Sequence, residues 1–405
     1  MDGRRLSLAA IVCLFAEITL RTAAIEPLTR YEFAQVHMGT QVRIVLYSAA
    51  RAAADEAASA AFARIAALDQ ALSDYRESSE LMEVSRRAGS GPVAVGDDLF
   101  RVLRAAREIA DRSDGAFDVT VGPLSVLWRH ARREGALPDA ADLAAARARV
   151  GRDKLAIDDR RRTVTLTTKG MQLDLGGIAK GFAADEAAAV LGRCGIDRAL
   201  IAAGGDIVVR DAPPGRDGWR IAVAAIEGAD RPPAGFITLR NAAVSTSGDS
   251  EQFAVIGGVR RSHIIDPRTG LALSGRRRVT IVAPTGMTAD ALATAVSVMG
   301  GADGMRLVET TGGAGAFVVE QTDRGVRTFE SRRWRALGAF TTRTISDPVA
   351  SSVPVDSSVA VDSSNPVASA FRPLVPVASA FRRKETRGFR LQAEEEKKKG
   401  SAHAP

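Results

Sequence analysis

An α+β (mixed α/β) fold is predicted for this chain of 405 residues, because strands and helices mix in it without a regular repeat. Three observations carry the prediction. The first half is dominated by Ala-rich stretches with a helical period, and from Leu155 onward the texture changes to short alternating strands. Composition adds the third: 46% hydrophobic and 25% charged residues suit a globular protein, yet only 5% are aromatic, so the core must be built mostly from Ala, Val, Leu and Ile.

Taken in order, residues 1–24 read as an export signal. Arg4 and Arg5 form a positive start, residues 6–15 an apolar run, and Thr22-Ala23-Ala24 offers small residues for cleavage. The run is short for a membrane span and Glu17 interrupts it. Cys13 lacks the neighbours of a lipid-modified cysteine, so cleavage and a periplasmic location are expected. Inner-membrane association through an uncleaved segment is the alternative. With the signal removed, Cys194 is the sole cysteine; it makes no internal disulfide and is expected to be a small buried residue near a helix end.

A strand is expected over 42–47, a long helix over 50–72, and further helices over 98–112, 124–133 and 139–149. Later strands are expected at 163–168, 171–175, 199–203, 219–223, 236–239, 244–247, 253–256, 262–265, 279–283 and 316–319. Helices over 178–191, 289–299 and 303–309 complete the series. Residues 345–405 differ: Val367-Ala-Ser-Ala-Phe-Arg372 recurs at 377–382, and Pro, Ser and charge dominate, so a disordered tail is expected. The net charge of +7 is modest and no basic run interleaves with aromatics, so no nucleic-acid partner is expected.

Chemistry concentrates in the run Leu173-Asp-Leu-Gly-Gly-Ile-Ala-Lys-Gly-Phe-Ala-Ala-Asp185. A strand passing through Gly176 and Gly177 into a helix would leave free N–H groups at the positive end of the helix dipole, a setting that suits phosphate. Lys180 falls in the first turn, where a cation is badly placed unless it faces an anionic ligand. The run matches neither common phosphate-binding fingerprint, and strand–glycine–helix junctions are frequent in any case.

In Thr288-Ala-Asp290-Ala-Leu-Ala-Thr294, Thr288 is a plausible cap, and Asp290 and Thr294 share a face of the helix that follows. A carboxylate and a hydroxyl there could form half of a Mg²⁺ site, or could serve only the dipole and the packing. His263 precedes the turn sequence Asp266-Pro-Arg-Thr-Gly270; it could be a general base or a surface strand-end histidine. Tyr75 could stack on a planar ring or be half-buried core. Asp118 could accept from a ligand N–H or cap a turn.

These segments, with Met38-Gly-Thr40, Leu72-Ser-Asp-Tyr75, Gly115-Ala-Phe-Asp-Val-Thr-Val-Gly-Pro-Leu124, Ala-Gly-Gly-Asp at 203–206 and Ser-Thr-Ser-Gly-Asp at 245–249, closely resemble the ApbE-type FAD:protein FMN transferases. The resemblance spans residues 32–340. It implies an enzyme that cleaves FAD with Mg²⁺, releases AMP and joins FMN through a phosphoester bond to a threonine of a target redox protein. By that resemblance Asp290, Thr294 and the Gly177 carbonyl would hold the metal. Asp174 and Lys180 would contact FAD, and Met38, Tyr75, Ala116, Phe117 and Asp118 would line the flavin pocket. Ile265 would border the cofactor and His263 would take the threonine proton. An FAD pyrophosphatase or a non-catalytic flavin carrier is the alternative. Where many relatives carry an asparagine after Ser79-Glu80-Leu81, this chain has Val84-Ser85-Arg86-Arg87, and no lipid-attachment box is evident.

Overall fold

The computed structural model describes residues 27–226, 233–248, 253–322 and 324–338. The expected signal at 1–24 and tail at 345–405 lie outside the described residues. Eight strands form one antiparallel sheet: Thr29–His37, Thr40–Ser48, Ala199–Ala203, Asp206–Val209, Ala242–Gly248, Arg276–Ala283, Gly315–Thr322 and Gly325–Glu330. Their order across the sheet is their order along the chain, so the helices and small sheets are insertions into one long meander.

Successive side chains of the central strands point to opposite faces and so enter two different cores. Val42, Ile44, Leu46, Ile201, Val279, Ile281 and Val318 face the main core. Val45, Leu200, Val282, Phe317 and Val319 face a second core closed by the hairpin Trp219–Val223/Gly235–Leu239 and by Trp334. Both faces are covered, which is why these strands read as apolar runs.

Three helices cover the main face: α1 (Arg51–Leu72), α2 (Ala179–Arg193) and α3 (Gly286–Met299). Their contacts are made by small residues, including Ala57, Ala58 and Ala61 of α1, Ala183, Ala184 and Ala187 of α2, and Ala289, Ala291, Ala293 and Ala295 of α3. Low aromatic content thus becomes close helix packing. Among the described residues no helix is long and apolar enough to cross a membrane.

Most expected elements are present within a few residues, and the mixed fold is as predicted. The expected strand at 171–175 is not formed. Met171, Leu173 and Leu175 are buried in alternation, but the ladder is lacking: Gln172 makes one bridge to Val121, and the Leu173 N–H donates to Ser85 Oγ at 3.1 Å. Alternation there reflects burial without a partner strand. Cys194 is exposed, not buried, because it is the C-cap of α2, where the chain turns out of the helix. The strands Thr29–His37, Leu155–Asp158, Asp206–Val209 and Gly325–Glu330 and the helix Glu80–Arg86 were not foreseen.

Candidate active site

The site is built where α2 and α3 cross. A Cβ on Gly181 would lie 2.1 Å from the Gly286 carbonyl oxygen, and one on Gly286 would lie 2.5 Å from that of Gly181, so only glycine permits this approach. Each helix then supplies an acid to the other's N-terminus. The Gly181 N–H in the first turn of α2 donates to Asp290 Oδ2 at 3.2 Å, and Asp185 accepts from Gly286 N (2.6 Å) and Met287 N (2.9 Å). Thr285, not Thr288, is the N-cap of α3; its hydroxyl accepts from Thr288 N at 3.2 Å, because the helix begins one turn earlier than expected.

Lys180 projects from the first turn of α2 between two buried carboxylates. Its Nζ lies 3.6 Å from Asp206 Oδ2 and 3.7 Å from Asp290 Oδ2, and it donates to the Gly176 carbonyl at 2.6 Å. Asp206 reaches this point because Gly204 and Gly205 turn the chain from one sheet strand to the next. Burial pushes both the Asp290 and the Asp206 carboxyls upward, and Lys180 opposes this. Burial alone would lower Lys180, but the charges of Asp290 and Asp206 outweigh it and hold the ammonium above its ordinary range.

Gly177 packs on Thr294: a Cβ there would lie 2.7 Å from the Thr294 hydroxyl. The structure therefore brings Gly177, Lys180, Asp290 and Thr294 together, as the sequence implied. Among the described residues no three His, Cys, Asp or Glu side chains converge as a metal cluster. A cation here would rest on one carboxylate, a hydroxyl and a backbone carbonyl.

A second cluster borders the first. Asp174 Oδ1 accepts from Gly176 N at 2.8 Å, and its Oδ2 faces Arg129 Nη2 at 3.3 Å. Arg129, on the helix Gly122–Glu134, also donates to Asp74 and lies 4.4 Å from the centroid of the Tyr75 ring. Tyr75 is 76% exposed, so it is not half-buried core; its outer face is open for stacking. Burial and the neighbouring Asp174 charge raise the Asp74 carboxyl, and Arg129 counters them.

Asp118 is buried and caps its own turn, accepting from the N–H (2.9 Å) and hydroxyl (2.7 Å) of Thr120. Phe117 is buried in the main core. Ala116 packs with Ile264 and Val298, which ties this loop to the strand Val259–Ile265 and to α3. Val298 is one helical turn beyond Thr294, about 6 Å along the axis. His263, next to Ile264, is half-buried in that strand. Asp266 holds the following turn, accepting from Arg268 N at 2.9 Å, while Trp128 Nε1 donates to Gly270 O at 2.8 Å. Ile265 is buried beside Leu124 and Trp128. Met38 sits in the first hairpin turn with a φ of 50°, and the adjoining Thr40 lies against Gly204 near Asp206.

The sequence model of the ApbE family matches residues 38–318. The chain belongs to the ApbE family. Its relatives include an FAD:protein FMN transferase of Treponema pallidum, 36% identical over 285 residues, which cover 67% of this chain and 79% of that one. The solved flavin transferase ApbE from Vibrio cholerae is 30% identical with a TM-score of 0.68, covering 76% of this chain and 99% of that one. The ApbE protein of Thermotoga maritima is 31% identical with a TM-score of 0.69, over 76% and 99% of the two chains.

Three residues of this ApbE site escaped sequence reasoning. Arg129 carried no signal, being one of several arginines on an amphipathic helix. Asp185 closed the glycine-lysine run, but its partner lies 101 residues away in sequence. Asp206 stood in a noted motif, but its position beside Lys180 requires the sheet.

Proposed function

We propose that this ApbE-family chain is an FAD:protein FMN transferase, a Mg²⁺-dependent enzyme that moves FMN from FAD to a threonine hydroxyl of a redox protein and releases AMP. The observation that carries the reading is Lys180 between two buried carboxylates where two helices meet. That arrangement offers an ammonium to a diphosphate, with hard oxygens beside it for a cation. The donor set fits Mg²⁺, which favours few protein oxygens and completes its shell with water and phosphate. The Gly177 approach to Thr294 and a buried Asp206 Oδ1 with no hydrogen-bond partner support a polar ligand at this point. Asp290, Thr294 and the Gly177 carbonyl would hold the ion. When bound, it neutralises charge on the diphosphate as the phosphoryl group transfers.

The chain's own groups do the rest. Lys180 holds the diphosphate, and Asp174 fixes the glycine turn under it. Tyr75 stacks on the flavin, and Met38 with Ala116, Phe117 and Asp118 shapes the pocket whose border includes Ile265. His263 takes the proton of the acceptor hydroxyl, which is a weak nucleophile until then. The threonine oxygen bonds to the flavin-side phosphorus, the bridging P–O bond breaks, and AMP leaves with the bridging oxygen. A periplasmic or membrane-associated redox subunit is the partner that an export signal implies.

The test is mass spectrometry of the protein lacking residues 1–24, incubated with FAD and Mg²⁺, with and without a candidate acceptor subunit. An acceptor heavier by one FMN, with AMP released and Asp290→Ala inactive, is expected. Free FMN and AMP regardless of acceptor would make the protein an FAD pyrophosphatase. Bound, intact FAD would leave only a carrier.

A further inference from the structure

The two carboxylates around Lys180 are not equivalent. Asp290 lies in the metal half-site, with Thr294 one turn further along α3 and Gly177 packed on that hydroxyl. Asp206 comes from the sheet, is 2% exposed, and is paired in register with Ser245 on the adjacent strand. Lys180 stands almost midway, at 3.6 Å from Asp206 and 3.7 Å from Asp290, longer than the ~2.8 Å of a committed charge-assisted hydrogen bond. One ammonium thus faces two buried carboxylates at nearly equal range. With only Asp290 to face, the flexible lysine stem would close on it, and a cation would have to displace that ammonium.

We propose that Asp206 is a positioning residue that holds Lys180 away from Asp290, so that Asp290 stays available to a divalent cation while Lys180 stays available to the diphosphate. The inference rests on the metal half-site proposed above and adds the residue that sets its charge balance. Asp206 acts through Lys180, and it need not touch cation or substrate. Its shape suits the role. A residue held in the sheet by its strand pairing keeps its place when ligands enter, whereas a loop carboxylate would follow the lysine.

The experiment is a double-mutant cycle on Mn²⁺ binding, followed by electron paramagnetic resonance on the full chain without FAD, with thermal melting to show that each variant is folded. Asp206→Asn is expected to weaken Mn²⁺ at least about tenfold in the wild-type background. In a Lys180→Met background the same change is expected to cost less than about threefold, because no ammonium remains to occupy Asp290. An equal loss in both backgrounds, or no loss in either, overturns the proposal, since a purely structural or through-space role does not depend on Lys180. If wild type and Asp290→Asn bind Mn²⁺ alike, the metal half-site itself is wrong. That result differs from a wild type that loses affinity on Asp290→Asn but not on Asp206→Asn, which sinks only the role given to Asp206.

Discussion

Two neighbouring clusters use the same parts, one cation against two carboxylates, in different settings. In the centre, Lys180 faces Asp206 and Asp290, whose side chains are 3% and 4% exposed. At the rim, Arg129 faces Asp74 and Asp174, which are 16% and 15% exposed. The centre rests on helices and sheet and employs a point charge that can shift between partners. The rim sets a guanidinium from the helix Gly122–Glu134 against two loop acids, both met by its Nη2, while it lies over the Tyr75 ring. Buried parts on rigid elements suit the reacting phosphates. Partly exposed acids on loops suit recognition of a ring that must enter and leave.

The sharpest way to break this contrast is to remove one carboxylate from each cluster. Asp290→Ala is expected to lower kcat/KM at least about a thousandfold, since it removes a group that acts where charge develops. Asp74→Ala is expected to act mainly on KM for FAD, by less than about tenfold. Steady-state kinetics of the two variants decides between them, and equal losses would erase the distinction between centre and rim.

The frame of the centre is tested by Gly181→Ala. A methyl group 2.1 Å from the Gly286 carbonyl and 2.9 Å from Asp290 Cβ forces α2 and α3 apart. A loss of about 3 kcal/mol, at the upper end for overpacking, is expected in a denaturant titration. Retained stability would mean that the crossing has slack. Gly177→Ala, which meets the Thr294 side chain rather than backbone, is expected to cost less stability.

Much of this was legible in the sequence, and the reasons it failed elsewhere are physical. Ala-rich runs located α1, α2 and α3, although α3 is buried on nearly every side and not along one face. The chain at 171–175 has the alternation of a strand without a ladder, since burial pattern reports which side chains point inward and is silent on hydrogen-bond partners. The cap at Thr285 rather than Thr288 is a one-turn error of the kind that capping residues on both sides produce. Gly177, Lys180, Asp290 and Thr294 fall in two short motifs, and the fold brings those motifs together. Asp206, Asp185 and Arg129 were missed because each acquires its role from a partner distant in sequence.

The rim offers a smaller effect. Arg129→Met leaves Asp74 and Asp174 as uncompensated like charges and frees Tyr75 from its stacked guanidinium. KM for FAD is expected to rise about tenfold with kcat changed by less than about threefold, which corresponds to ~1.4 kcal/mol of lost ground-state binding. Arg129→Lys keeps the charge but gives up the guanidinium that lies over Tyr75, and should fall between wild type and Arg129→Met. A loss confined to kcat would assign Arg129 to the centre instead.

The smallest effect lies in the pH dependence of stability. Burial pushes the Asp185 carboxyl up to about 6, although the N–H groups of Met287 and Gly286 favour its ionised form. An acid with a raised folded pKa holds its proton in the native state while the unfolded chain has released it. Between its unfolded pKa near ~4 and about 6, this group therefore contributes stability at the acid end that is lost as pH rises. Because Asp185 is only partly buried, the contribution expected is about 1 kcal/mol, below the limit that the full shift would imply. Denaturant midpoints at pH 4.5 and 7 for wild type and Asp185→Asn isolate it from Asp206 and Asp290, which titrate in the same sense. The variant should show a shallower fall in stability over that interval. An unchanged slope would assign the titration to the centre, and would leave Asp185 as a helix cap whose charge does not matter to the fold.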